Sequence, residues 1–551
     1  MVFLESTSET DHLIASETDP LIGNGNASDG VSLTRNDETN GEVFDNVPQA
    51  KRQLGQSSLD NAEYHSLDIL LQLYSLPCPS IYATPSNILR SSGSVGVAFI
   101  MWIAGALIAF CGTAVYMELG TGLPRSGGEK NYLEYTFRRP RYLVTCIFMV
   151  YLSIMGAGTA NSVVFSEYLL HALAIEPTHF NTRLVAFLCL SFCCFLHGTC
   201  LKVGLRLQNT LGMFKLIVLV SIVISGILCL LNVPGFTVDN AYEIPHNFEW
   251  SKFWEGSGTG VNAFVSGLYN VIWSFIGYSN ANYALSEVRD PVRTLKRAAP
   301  LAVFGVATMY ILINVAYFAA VSKSDILGSQ RIVAALFFRN LFGSTTERAL
   351  SAFIALSTLG NLLAGQFSQG RVVQELGREG ILPYAAFFAS NKPFNAPLAG
   401  LSTMYAFGCF FLFTVPAGDA YIFLITLAAY SLTLINTFVS LGLLLLHTPA
   451  YKLWKWNPPF HAPKFVIMAF FISNLFLVVV PFIPPATGSR VYEQLPYWSH
   501  PVAAFSLSLI GIGYWYIWSI WRPKRFGYRL ERKWVIQDDG VSRYTFLQVP
   551  L

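Results

Sequence analysis

The residues able to do chemistry in this 551-residue chain stand out because their neighbours are apolar. Leu76-Pro77-Cys78-Pro79-Ser80 sets two prolines in an apolar stretch, and each removes a backbone donor and clashes with the turn before it. A helix broken there exposes backbone groups. The half-helix starting near Ser80 would aim free N–H groups and the positive end of its dipole at a carboxylate. The alternative is a simple proline kink, or a helix end outside the apolar layer. Further on, Trp273-Ser274-Phe275-Ile276-Gly277-Tyr278-Ser279-Asn280-Ala281-Asn282-Tyr283 places glycine among Ser, Asn and Tyr where a run should be most apolar. Such groups are costly unless they face a cavity or a partner helix. Lys215, in Gly212-Met213-Phe214-Lys215-Leu216, is an ammonium inside an apolar run. It suits a proton carrier or a fixed substitute for a bound cation, unless it snorkels to the interface. Glu118 and Glu167 read as helix-end or packing residues. The sequence offers no metal-ligand cluster and no nucleophile–base set on facing segments, so it implies no cofactor and no enzyme.

These groups need elements to hold them, and the composition says which. The chain is 53% hydrophobic and 13% charged, against about 25% charged in soluble domains. Its net charge of +3 is too small to argue for a nucleic-acid partner. Apolar runs cover 94–119, 143–173, 184–201, 207–231, 261–285, 298–321, 349–373, 396–415, 421–446, 465–483 and 502–521, with an odder one before them at 67–89. A bilayer crossing takes about 20 such residues, and runs without period-two alternation are helices rather than barrel strands. The sequence therefore predicts an all-α membrane protein of about twelve transmembrane helices, broken in the first and sixth. Helices one to five and six to ten would form two repeats, inverted because five is odd, followed by two extra helices. Lys and Arg collect in alternate loops, as at Arg138, Arg139 and Arg141, then Lys202 and Arg206, then Arg293, Lys296 and Arg297. By the positive-inside bias that side is the cytosol, and both termini lie on it.

Residues 1–62 differ from the rest: polar, acidic and unable to bury apolar area, they read as a disordered cytosolic tail. Within them Ser8-Glu9-Thr10-Asp11-His12-Leu13-Ile14 is echoed by Ser16-Glu17-Thr18-Asp19-Pro20-Leu21-Ile22. The pattern is that of acidic dileucine signals read by adaptor proteins, or a coincidence in a low-complexity segment. Residues 63–521 form the transporter domain, and 522–551 a cytosolic tail. The odd count of nine cysteines, most of them in apolar runs, speaks for core residues rather than a disulfide framework.

Three motifs carry a family likeness. Met117-Glu118-Leu119-Gly120-Thr121-Gly122-Leu123-Pro124-Arg125-Ser126-Gly127-Gly128-Glu129-Lys130-Asn131-Tyr132 resembles the second span and following loop of L-type amino acid transporters, in the amino acid–polyamine–organocation superfamily. Ser286-Glu287-Val288-Arg289-Asp290-Pro291 resembles the loop after their sixth helix, and Arg371-Val372-Val373-Gln374-Glu375-Leu376-Gly377-Arg378-Glu379-Gly380 the end of their eighth. Thr84-Pro85-Ser86-Asn87-Ile88-Leu89 and Gly277-Tyr278-Ser279-Asn280-Ala281-Asn282-Tyr283 look most like fungal methionine permeases.

The resemblance implies alternating access, with an α-amino acid held between the first and sixth helices. Ser80 and Ile81 would meet the carboxylate. Trp273, Ser274, Phe275 and Ile276, continuing into Gly277 and Tyr278, fall where the family places its aromatic gate and ammonium-binding carbonyls. Lys215 matches a fifth-helix lysine that stands near a sodium site in sodium-independent relatives, and Ser368 falls near the same region. One departure is plain: Cys78, Pro79 and Ser80 stand where the family has Gly-Ser-Gly, and Pro79 has no N–H. A mispredicted exon boundary or a diverged site would each account for it. The expected function is transport of neutral, methionine-like L-amino acids, by proton coupling or exchange, at the plasma membrane or a vacuolar or endosomal one. A sensor that binds without transporting is the other reading.

Overall fold

A computed structural model of the chain describes residues 80–551 except 125–126, 156–157, 258–259, 280–281, 283–284, 286–290, 330–331, 395, 416, 450–455, 486–490 and 537–541. The acidic tail with its repeated dileucine and the Pro77-Cys78-Pro79 interruption lie outside these residues. The described chain begins with the short helix α1 (Ser80–Ala83) and with α2 (Pro85–Ser92). Then come α3 (Val95–Gly122), α4 (Glu129–Thr136), α5 (Leu143–Met155), α6 (Thr159–Ala172), α7 (His179–Thr199) and α8 (Leu201–Leu230). Next are α9 (Val261–Phe275), α10 (Pro291–Ala320), α11 (Val333–Arg378), α12 (Leu398–Thr414), α13 (Ala417–Leu446), α14 (Lys464–Val479) and α15 (Ser499–Trp515). Among the described residues eight helices are long and apolar enough to cross a membrane, and Leu143–Leu152 and Leu398–Thr414 are shorter apolar ones.

Local chemistry sets several boundaries. The Ser94 hydroxyl accepts from Val97 N–H (3.3 Å) to cap α3, and the Thr178 hydroxyl accepts from Asn181 N–H (3.2 Å) to cap α7. One expected span is not continuous. The run 143–173 divides into α5 and α6, with Gly158 at φ 68, and α11 is interrupted at Gly343 (φ 82, ψ 171). A window of apolar residues carries no trace of a single glycine turning left-handed, which is why periodicity missed the break at Gly158; Gly343 lies before the expected run 349–373.

Helices associate here through close approach, since lipid offers no hydrophobic drive between them. A Cβ on Gly226 would lie 2.1 Å from Ala316 Cβ, and one on Gly400 2.6 Å from the Gly370 carbonyl oxygen. Leu188, Phe192 and Phe195 on α7 are exposed on the outside, as a lipid-facing surface requires. At the end opposite the basic loops, the buried Asp419 carboxylate accepts from the N–H groups of Glu493 (2.7 Å), Gln494 (2.8 Å) and Leu495 (2.9 Å). Asp419→Ala strands these donors and is expected to cost roughly 2–3 kcal/mol. It should appear as a lower melting temperature in detergent.

The all-α expectation needs one correction. Instead of trailing off after 521, the chain forms an antiparallel hairpin of β1 (Tyr528–Ile536) and β2 (Ser542–Pro550), paired from Tyr528↔Pro550 to Ile536↔Ser542. The hairpin docks on the basic end of the bundle. Phe546 N–H donates to the Glu379 carbonyl (2.8 Å), and its ring sits edge-on to Tyr142 (4.7 Å) and Trp518 (5.2 Å). That aromatic clamp offsets the ordering cost of a segment too short to hold structure alone.

Candidate substrate site

The expected break in the sixth span is present. Helix α9 runs to Phe275, Ile276 leaves helical geometry (φ −55, ψ 119), and Gly277 takes φ 147. The next α-helix among the described residues begins at Pro291. The last turn of α9 thereby presents carbonyls with no intrahelical partner, at the negative end of its dipole, where an ammonium is favoured. Ser274 O is taken by the Tyr310 hydroxyl (2.9 Å), which steadies that turn.

The other side of the site comes from α1 and α2, which meet at a bend on Thr84. Ile81, Tyr82 and Ala83 are buried, and the Tyr168 hydroxyl donates to Tyr82 O (2.8 Å), tying this stretch to α6. Thr84 Oγ1 lies 3.5 Å from Ser274 Oγ, so the first-span bend and the end of α9 touch. Helix α1 thus packs near α9 at this junction.

Aromatic rings close around this junction. Phe275, Trp102 and Tyr310 form a three-ring cluster with edge-to-face centroid distances of 5.3–6.2 Å. Trp273 is half-buried outside that cluster. Toward the basic end, the Tyr278 hydroxyl accepts from Asn436 (3.0 Å), whose carbonyl accepts from Tyr116 (2.7 Å). Tyr132 donates to Asn282 (2.9 Å), and a Cβ on Gly120 would lie 2.3 Å from that Asn282 oxygen. The Met117–Tyr132 motif therefore packs against the unwound stretch itself. Tyr116, Trp102, Tyr310 and Asn436 escaped sequence reading, because an aromatic or amide inside an apolar run has no spacing that marks its partner.

Lys215 is 1% exposed and donates to Asn361 Oδ1 at 3.4 Å, so its side chain does not reach an interface. Ser368, expected near the same region, lies seven residues beyond Asn361, about 10 Å along α11. It is exposed, with its hydroxyl on its own helix at Ala364 O (3.0 Å) and Gly365 O (3.1 Å). Asn361 is the polar partner that sequence reading missed. At the basic end, buried Lys130 is ion-paired with Glu379. The buried Glu118 carboxylate accepts from His447 (2.8 Å), Trp456 (3.0 Å) and Ala462 N–H (2.8 Å). That makes Glu118 the anchor of the segment before α14.

Among the described residues no group of His, Cys, Asp or Glu could hold a metal, and the polar backbone exposed at the break is of the kind that meets a small polar molecule. Residues 70–507 match the family model described as amino acid permease. The chain belongs to the amino acid permease family. The permease is 41% identical over 471 residues to the high-affinity methionine permease of Saccharomyces cerevisiae, covering 85% of this chain and 81% of the relative. It is 28% identical to the low-affinity methionine permease of the same yeast, over 85% and 84% of the two chains. It is 27% identical to the mouse b(0,+)-type amino acid transporter 1, over 75% and 80%. The permease is a multi-pass integral membrane protein, and these relatives are named as permeases and transporters, not enzymes.

Proposed function

We propose that the permease moves neutral L-amino acids, methionine-like ones favoured, across a membrane by alternating access. The observation that supports this most is the contact of Thr84 with Ser274, which sets the first-span bend against the end of α9. In this reading backbone at Ser80 and Ile81 takes the carboxylate, and carbonyls around Ser274, Phe275 and Ile276 take the ammonium, while Gly277 supplies the turn. Trp273 and Tyr278 flank the site. The two segments run in opposite directions through the bilayer, as in two inverted five-helix repeats within a twelve-helix bundle. The plasma membrane is the favoured location. Radiolabelled methionine uptake in cells lacking their own permeases tests the proposal. Uptake no higher than empty vector, with the protein at the surface, refutes it.

Lys215, held on Asn361 beside the core, acts in this reading as the coupling group, and a proton is the ion it would carry. Ser368 lies further along the same helix. A second reading, a sensor that binds without transporting, is favoured by Cys78-Pro79-Ser80 standing in place of Gly-Ser-Gly. Binding without counterflow in proteoliposomes would support it. The dileucine pairs would recruit adaptor proteins to the tail. Alanine at Leu13, Ile14, Leu21 and Ile22 should at least double the surface fraction after substrate addition, read by surface biotinylation.

A further inference from the structure

His197 is 0% exposed, near the basic end of α7, and apart from the Leu363 carbonyl beside it neither ring nitrogen has a hydrogen-bond partner among the described residues. The ring lies on α8 where a Cβ at Gly204 would come within 2.7 Å of Nδ1, beside the Leu363 carbonyl and 5.7 Å from the Phe367 ring on α11. Gln208 Oε1, one turn further along α8, is also buried without a partner among the described residues. Polar atoms inside a folded protein are bonded to protein or to water; the Leu363 carbonyl serves one ring nitrogen, and water is left to complete the other and Gln208 Oε1.

Their placement is ordered. Gly204, Gln208, Leu211 and Lys215 follow at i, i+4, i+7 and i+11 and share one face of α8. Asn361, Gly365 and Ser368 share one face of α11 at i, i+4 and i+7. The two helices are antiparallel and touch at Leu211 and Gly360, where a Cβ would come within 2.7 Å of Leu211. The hydrogen bond from Lys215 to Asn361 puts both faces on the same side of that seam. Below it the seam is open: a Cβ on Gly365 would meet nothing within 4 Å, and Ser368 is exposed. Ser368 stands about 60° from Phe353 (40% exposed), at the edge of the outward stripe that Phe353 shares with Leu356 (41%). Gly365 is turned about 120° from Phe353, away from that stripe.

We propose that this seam is a hydrated proton path between Lys215 and the cytosol, with Gln208 as its midpoint and His197 as its last protonatable station. The inference rests on Lys215 being the coupling group. The rise from Gly204 to Lys215 is about 16 Å, shortened by a lysine side chain that leans toward its helix N-terminus. Gln208 and roughly three waters about 2.8 Å apart span the remainder. One Nζ–H bond of the ammonium breaks, its electron pair staying on nitrogen. The proton passes along the waters to one ring nitrogen of His197, and the other ring nitrogen releases a proton to the cytosol. Lys215 is left a neutral amine, to be recharged from the opposite side. The charges near the exit are Arg371, 5.4 Å over the Phe367 ring, and the exposed Lys202 and Arg206 on α8. Cys193, buried, lies one turn before His197 on α7. Among the described residues no carboxylate bonds to the imidazole.

The full chain in proteoliposomes, with a pH dye inside and radiolabelled methionine outside, tests the path. His197→Leu and Gln208→Leu should each cut methionine-coupled proton entry at least tenfold. Methionine counterflow, which needs no net proton, should stay within threefold. If His197→Leu does not fold, Gln208→Leu alone decides. Native proton entry in the folded variants overturns the path, as does counterflow lost in step with proton entry, which would mark a packing role. Native protein that moves methionine without protons, or Lys215→Met protein that still moves them, removes the coupling reading itself. Proton flux silenced in Lys215→Met but intact in both other variants removes the path alone.

Discussion

Gly277→Val is expected to reduce methionine uptake about 5- to 150-fold while the protein still reaches the membrane. Gly277 sits at φ 147, a conformation L side chains rarely adopt. Holding a β-branched residue in such a region costs about 1–3 kcal/mol. Only the unwound arrangement bears that cost, because α9 is already complete at Phe275 and its packing does not depend on position 277. A difference of this size between conformations is a 5- to 150-fold change in their ratio. If the carbonyls of that last turn grip the substrate, the variant loses affinity as well as rate, so KM should rise. Surface biotinylation beside initial-rate uptake separates this from misfolding. Native uptake by Gly277→Val would mean that the break is incidental to binding.

Lys215→Met is expected to lower uptake roughly tenfold or more and to flatten its dependence on external pH. The ammonium is buried and bonded to Asn361, and a hydrogen bond to a charged group contributes about 1.5–3 kcal/mol. Methionine keeps the length of the side chain and the packing between α8 and α11, so the loss is electrostatic rather than steric. The sign follows from the group removed: without a titrating nitrogen, no proton is taken up or released at this position, and rate against pH should be level. Asn361→Leu, which removes the partner and keeps the ammonium, should weaken uptake yet leave a sloping pH profile. A Lys215→Met protein as fast and as pH-sensitive as the native chain would make the lysine a packing element.

The break at Ile276 and Gly277 was legible because polarity inside an apolar run is expensive and needs a reason. The Lys215 position was legible on the same ground. Its partner was not. Asn361 lies 146 residues away, and only the crossing of α8 with α11 brings the two together. The same holds for the Trp102, Phe275 and Tyr310 cluster, assembled from three helices whose crossing points no single run encodes. The hairpin at 528–550 was missed for a related reason. Its strands are rich in charge, and their stability comes from docking Phe546 against Tyr142 and Trp518 rather than from their own pattern.

By itself the sequence determined that the chain lives in a membrane and where its sixth span must open. Those properties follow from transfer free energies and backbone sterics, which act residue by residue. Tertiary structure alone decided that the Thr84 bend meets Ser274, that Lys215 is bonded within the core and not at an interface, and that His197 and Gln208 share a seam with it. These are contacts between distant segments, set by how whole helices cross, and local composition does not carry that information.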